Sequence, residues 1–177
     1  MIFVTVGTQM AFSRLVMAVD NWASTAYDEP IFAQTGVSSY VPKHMQSAPF
    51  ITPQEFRRYA QQAKVIISHA GMGAILTALE FGKPIIVMPR RHDLGEHRSD
   101  HQIATAKYFG DQGRVTVAWD CQELQKLLAR QWAKGGFEPI SPVASPVLIA
   151  TIREFISSTT STPAASSPYT RVGRNDG

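Results

Sequence analysis

Two short segments concentrate the residues able to do chemistry. In Ser68-His69-Ala70-Gly71-Met72-Gly73-Ala74, small residues directly follow a β-branched run. Where a helix opens at such a place, its first N–H groups, here those of Met72, Gly73 and Ala74, have no intrahelical partner. Together with the helix dipole they favour an anion such as a diphosphate, and His69 can donate a hydrogen bond to the same group. A second reading needs no ligand, because Gly71 and Gly73 equally allow tight strand-to-helix packing. The other segment runs from Arg90 to Gln102 and holds three of the five histidines, His92, His97 and His101, among Asp93, Glu96 and Asp100. One reading is a metal site, since His97 and His101 are spaced i, i+4 beside Glu96 or Asp93. No third ligand is fixed, however, and a His-Glu-x-x-His signature is absent. Another is a solvated loop of internal ion pairs. The third is recognition of a hydroxyl-rich ligand, for which Asp, His and Gln supply both acceptors and donors. Thr8 and Gln9, after Gly7, read either as a phosphate contact or as an ordinary strand-ending turn.

Strands and turns must position these groups. Ile2 to Val6 is a β-branched and aromatic run closed by Gly7, and Ile31 to Gln34 is a second short strand. Between them Phe12, Leu15, Val16, Val19 and Trp22 make one apolar helical stripe, which leaves Arg14, Asp20 and Asn21 facing away. Thr52 caps a helix with Pro53 in its first turn and Phe56, Tyr59, Ala60 and Ala63 inward. Val65 to Ser68 and Ile85 to Met88 are apolar on both faces and are joined by a helix from Ala74 to Phe81. Such a βαβ unit predicts a parallel sheet covered on both sides, hence an α/β, Rossmann-like fold. Further on, a helix through Ile103, Ala106 and Phe109, a strand Val115 to Ala118, and a helix Cys121 to Trp132 continue the alternation. Pro146 to Ile156 forms a last helix with a broad apolar face, and the Ser/Thr/Pro-rich remainder is expected to be disordered. The expected organisation is one domain over 1–157 and a tail over 158–177. The two chemistry-bearing segments then lie at the carboxyl ends of strands, where open α/β sheets bind ligands.

Composition narrows the classes. With 177 residues, 44% hydrophobic and 18% charged, the chain can bury a core and is neither collagenous nor wholly disordered. Seventeen basic against 14 acidic side chains leave a net charge of +3, too small an excess to indicate nucleic acid. The single cysteine, Cys121, excludes an intramolecular disulfide and agrees with a reducing compartment. The start has no charged leader pattern and no run approaches about eighteen apolar residues, so a cytoplasmic protein is expected. Gly-x-Ser-x-Gly, Walker and Gly-x-Gly-x-x-Gly patterns are absent, which weakens hydrolase, P-loop and dinucleotide readings.

Taken in order, Phe3-Val4-Thr5-Val6-Gly7-Thr8-Gln9, Ile67 to Leu76, and Pro89 with Gly95-Glu96-His97-Arg98-Ser99-Asp100-His101-Gln102 resemble the carboxyl-terminal, nucleotide-sugar-binding lobe of family 28 GT-B glycosyltransferases. The similarity spans roughly Met1 to Trp119 and is greater still to the stand-alone donor-binding subunits of two-component transferases, including bacterial exopolysaccharide ones. The resemblance implies a UDP diphosphate held by His69, Gly71, Met72, Gly73 and Ala74, and sugar hydroxyls contacted by Asp100 and Gln102. It also implies a uracil bracketed by Phe50 and Ile51. Many relatives place a ribose-binding carboxylate where this chain has Thr77. It implies inversion at the anomeric carbon, no cofactor and no metal. The acceptor lobe would be a second, membrane-anchored protein, which recruits a polyprenyl-diphosphate-linked saccharide and holds this chain peripherally at the inner membrane face. The Pro146 to Ile156 helix is a docking candidate. Glu96 or His97 can assist the acceptor hydroxyl, and Arg90, Arg91 and Arg98 can pair with a uronate, which makes UDP-glucuronate a fitting donor. The alternatives are a non-catalytic nucleotide-sugar sensor and a metal-dependent hydrolase built on the His/Asp/Glu loop.

Overall fold

Strand β1 (Ile2–Thr5) is buried along its whole length, so it has neighbours on both edges and cover on both faces. The computed structural model describes residues 1–25, 29–130, 139–141 and 145–160. Beside β1 lie β2 (Ile31–Gln34) and β4 (Val65–His69), and the sheet is completed by β3 (Gln46–Ala48), β5 (Ile85–Met88) and β6 (Thr116–Val117). The order is β3-β2-β1-β4-β5-β6 and every pairing is parallel. Chain connection reverses direction between β1 and β4, which leaves a crevice at their carboxyl ends.

Alternate residues of the strands feed two cores. Ile2, Val4, Val6, Ile67 and Met88 point to one face, covered by α1 (Ser13–Ala23) and α5 (Cys121–Ala129). Phe3, Ile66, Ile85 and Val87 point to the other, covered by α2 (Pro53–Gln62), α3 (Met72–Glu80) and α4 (His101–Asp111). Helix α2 begins as expected: Thr52 Oγ1 accepts the Glu55 N–H while the Glu55 carboxylate accepts the Thr52 N–H, a reciprocal capping box. The α/β class and the doubly covered parallel sheet are as the sequence predicts.

Three points differ. Strand β3 escapes the sequence reading because Gln-Ser-Ala carries no β-branched or aromatic residue and its place is set by pairing with β2. Asp20 does not face away; it is 1% exposed, and its carboxylate accepts the Tyr40 hydroxyl at 2.6 Å and the N–H groups of Lys43 and His44. A buried carboxylate is tolerated there because donors surround it, and they hold its pKa below the ordinary value against the opposing effect of burial. Arg14 also turns inward, to an ion pair described below. Residues Met1–Ile140 form one compact unit, and α6 (Pro146–Thr160) belongs to a second, Ser141–Gly177. Residues 158–160, expected in the tail, instead continue helix α6, and the remainder of the expected 158–177 tail lies outside the described residues. Among the described residues no helix is long and apolar enough to cross a membrane.

Asp20 therefore anchors the whole connection from β2 to β3. Asp20→Ala leaves three donors without their acceptor and is expected to destabilise the fold by about 3 kcal/mol, read as a lowered urea midpoint at unchanged slope.

Candidate functional site

The crevice between β1 and β4 is lined by two turns. In the first, Gly7 adopts φ +75°, a conformation favouring glycine, and its peptide is held by Gln34. The Gln34 amide accepts the Gly7 N–H at 3.1 Å and donates to the Gly7 carbonyl at 2.9 Å, while Thr5 Oγ1 donates to the same Gln34 oxygen at 2.7 Å. Sequence reasoning missed Gln34; a polar residue ending a buried strand was the available signal. In the second turn, His69 ends β4 and its ring lies between two glycine backbones. A Cβ on Gly71 would stand 2.1 Å from His69 Nε2, and one on Gly7 would stand 2.9 Å from Cε1. The imidazole thus occupies the space that a Cβ at Gly7 or Gly71 would need.

Gly73 is different. It is the second residue of α3, and a Cβ there would meet nothing within 4 Å. No side chain caps this helix, so its first N–H groups have neither an intrahelical nor a side-chain partner. Met72 is 46% exposed at the same end. Ala74 is buried, and Thr77, one turn on, donates its hydroxyl to the Gly73 carbonyl at 2.8 Å. Thr8 and Gln9 are exposed at the neighbouring turn. Phe50 is exposed just before α2, whereas Ile51 packs partly against the core.

The 90–102 segment is a braced loop. Glu96 accepts from Arg14 Nε at 2.7 Å and from Arg14 Nη2 at 2.8 Å, and also from the Arg91 N–H. Arg14 in turn donates to the Pro89 carbonyl, so helix α1 is tied to the loop. Asp100 accepts the His92 N–H at 2.9 Å, and the Gln102 amide oxygen, deep in the fold, accepts the Arg90 N–H at 3.1 Å. His97 and His101 meet edge to face with ring centres 4.4 Å apart. Among the described residues no three of His, Cys, Asp and Glu converge as metal ligands would. Of the three arginines suggested for a uronate, Arg91 pairs with Asp93 and Arg90 is buried against backbone carbonyls. Arg98 is exposed and, among the described residues, has no carboxylate within ion-pair distance.

Electrostatically the crevice is a place for a neutral histidine. Burial first, then the charge of Arg90, push the His69 pKa down to about 4, with a backbone hydrogen bond to Thr5 acting in the opposite direction. At pH 7 the ring is an uncharged donor or acceptor. His97 is also held below its ordinary value, by desolvation and by the neighbouring His101, Arg90 and Arg98.

Comparison with known proteins follows the same geometry. The family model for the glycosyltransferase family 28 C-terminal domain matches residues 1–136. The mouse UDP-N-acetylglucosamine transferase subunit ALG13 is 32% identical over 124 residues, which are 64% of this chain and 10% of that protein. The chain thus spans about a tenth of the length of that mammalian relative. The solution structure of ALG13 superimposes with a TM-score of 0.54 at 20% identity, over 88% of this chain and 96% of that one. The UDP-GlcNAc 2-epimerase of Methanocaldococcus jannaschii superimposes with a TM-score of 0.57 at 13% identity, over 87% and 45%. At such identities the structural likenesses show the fold.

The depressed His69 pKa has a consequence for stability. The unfolded chain binds a proton near pH 6.5 and the folded chain only near pH 4, so stability is complete above that window and falls through it on acidification. Between pH 7 and pH 4 the wild type is expected to lose about 3 kcal/mol that His69→Gln does not lose, measured as the difference between their urea-denaturation profiles.

Proposed function

The chain belongs to the glycosyltransferase family 28 C-terminal domain family, and from that membership we propose that it is the donor-binding subunit of an inverting glycosyltransferase. The observation that carries this reading is the open space at Gly73, over the uncapped start of α3 and beside a neutral His69. That arrangement suits the diphosphate of a UDP-sugar: backbone N–H groups and the helix dipole meet the phosphate charge, and His69 lies beside them. Thr8 and Gln9 approach the phosphates from the β1 turn, Phe50 and Ile51 flank the base, and Thr77 lies where the ribose hydroxyls would come. Asp100 faces the sugar, while Gln102, buried behind it, braces the loop through the Arg90 N–H. Arg98 is the arginine left available for a carboxylate, which keeps UDP-glucuronate as a donor of choice.

In the transfer, an acceptor hydroxyl attacks the anomeric carbon from the side opposite UDP, the carbon–oxygen bond to the diphosphate breaks, and the electron pair leaves with the phosphate. Charge then grows on the diphosphate, where the α3 amides stabilise it. The acceptor proton goes to a base. His97, kept neutral by its surroundings, is better disposed to take it than Glu96, whose two oxygens are engaged by Arg14. The acceptor is a polyprenyl-diphosphate-linked saccharide of exopolysaccharide synthesis, brought by a membrane-anchored partner subunit that retains this chain at the inner face of the membrane. The name of the mouse relative, a transferase subunit, supports a divided enzyme. Docking falls to α6, whose Val147, Leu148 and Ile152 are each at least 50% exposed.

Calorimetric titration with UDP, UDP-glucose, UDP-glucuronate and UDP-N-acetylglucosamine tests the donor site. Gly73→Ala adds a methyl group to the open space, so it should keep or slightly raise stability, by about 0.5 kcal/mol, yet weaken UDP at least about tenfold. Wild-type affinity in both Gly73→Ala and His69→Ala would place the nucleotide elsewhere and sink the reading. Leu148→Asp combined with Ile152→Asp should move the protein from the membrane fraction of its native cell to the supernatant with UDP binding kept; retention in the membrane fraction would remove α6 from the docking role.

A further inference from the structure

Arg90 follows β5, yet its side chain reaches back to β1. One guanidinium nitrogen donates to the Val6 carbonyl at 2.8 Å and to the Met10 carbonyl, the two ends of the Gly7–Gln9 turn. Since β4 lies between β1 and β5, the side chain must cross the carboxyl end of β4, where His69 stands. The residue is 3% exposed, its guanidinium lies 5.1 Å from the Phe12 ring centre, and its Nε–H has no hydrogen-bond partner. Among the described residues no carboxylate is within ion-pair distance; the neighbouring Glu96 is given over to Arg14. A buried cation without a counter-charge is costly, and holding two carbonyls needs only a neutral amide. The charge is thus unexplained by the fold.

We propose that Arg90 is the positioning residue of the anion site, gripping the Gly7–Gln9 turn and placing a buried positive charge, with no carboxylate of its own in contact, under the crevice between that turn and the start of α3. The inference rests on the donor-binding reading and adds a residue to it. The counter-charge is the diphosphate itself. Before the anion arrives, the carbonyls of Val6 and Met10 and the face of Phe12 partly solvate the cation; after it arrives, the buried charge acts through a medium that salt screens poorly. The same field reaches His69, Glu96 and His97, the other titratable groups coupled to this point. Added to the larger effect of burial, it holds the His69 pKa down.

Two variants separate grip from charge. Arg90→Gln keeps N–H donors and loses the charge, whereas Arg90→Lys keeps the charge and loses the double grip. With the full chain, Arg90→Gln is expected to bind UDP at least about tenfold more weakly while uridine binding stays within about twofold. Arg90→Lys should hold UDP within about threefold. The titration midpoint of His69, followed by NMR of the imidazole, should rise in Arg90→Gln and stay low in Arg90→Lys. A role in the fold alone would weaken UDP and uridine together and leave that midpoint unmoved, and either result overturns the proposal. If Arg90→Gln does not fold, Arg90→Lys decides: UDP held within about threefold supports the charge, and a loss of about tenfold or more refutes it. Wild-type protein that binds neither UDP nor any UDP-sugar would instead strike the donor reading, while the His69 midpoints would still report whether the Arg90 charge reaches the crevice.

Discussion

Parallel sheets built from crossovers are almost always covered on both faces, and β1 shows this constraint fully met. Ile2, Phe3 and Val4 have no exposed surface, so helices must lie on both sides of the sheet. Covering both faces forces the chain to leave β1 in one direction and return to β4 from the other, and the crevice between their carboxyl ends follows from the topology alone. Gly7, His69 and Gly71, on the turns that follow β1 and β4, lie at that gap. The core does not surround the site; it determines where a site can exist.

Around the gap, polar side chains work on backbone as much as on any ligand. Gln34 holds the Gly7 peptide from both sides, Gln102 holds the Arg90 N–H, and Glu96 holds helix α1 through Arg14. Each such bond is modest by itself, but together they fix turns that would otherwise sample many conformations. Beside the fixed turns, Gly73 faces open space at the uncapped start of α3. Preorganisation is what allows dipoles to stabilise charge that develops during a reaction, since no reorganisation is then needed at that moment.

The sequence carried the elements well where composition and burial agree. Val65-Ile66-Ile67 and Ile85-Ile86-Val87 can only be doubly covered strands, and Thr52-Pro53 with Glu55 is a helix start by local chemistry alone. Gly71 and Gly73 stood out equally in the sequence, yet the His69 ring occupies the space beside one and the other faces open space, a difference that only coordinates reveal. Buried polar partners were less legible. Asp20 read as an outward residue because a helical stripe is blind to a loop that folds over it, and Tyr40, Lys43 and His44 supply donors from outside the helix. Arg90 looked like one of three equivalent loop arginines, and nothing local told that its side chain crosses β4. Long-range bonds of this kind depend on topology, which periodicity does not encode.

The two margins of the sheet carry a last implication. One edge is β3, three polar or small residues, and the other is β6, two residues long. Margins so short offer few free N–H and C=O groups in register, and strand addition by a second polypeptide has little to pair with. Among the described residues the sheet thus offers few backbone groups for growth in either direction. A contact made instead by side chains on helices and loops can diverge without disturbing the hydrogen-bonded frame beneath it.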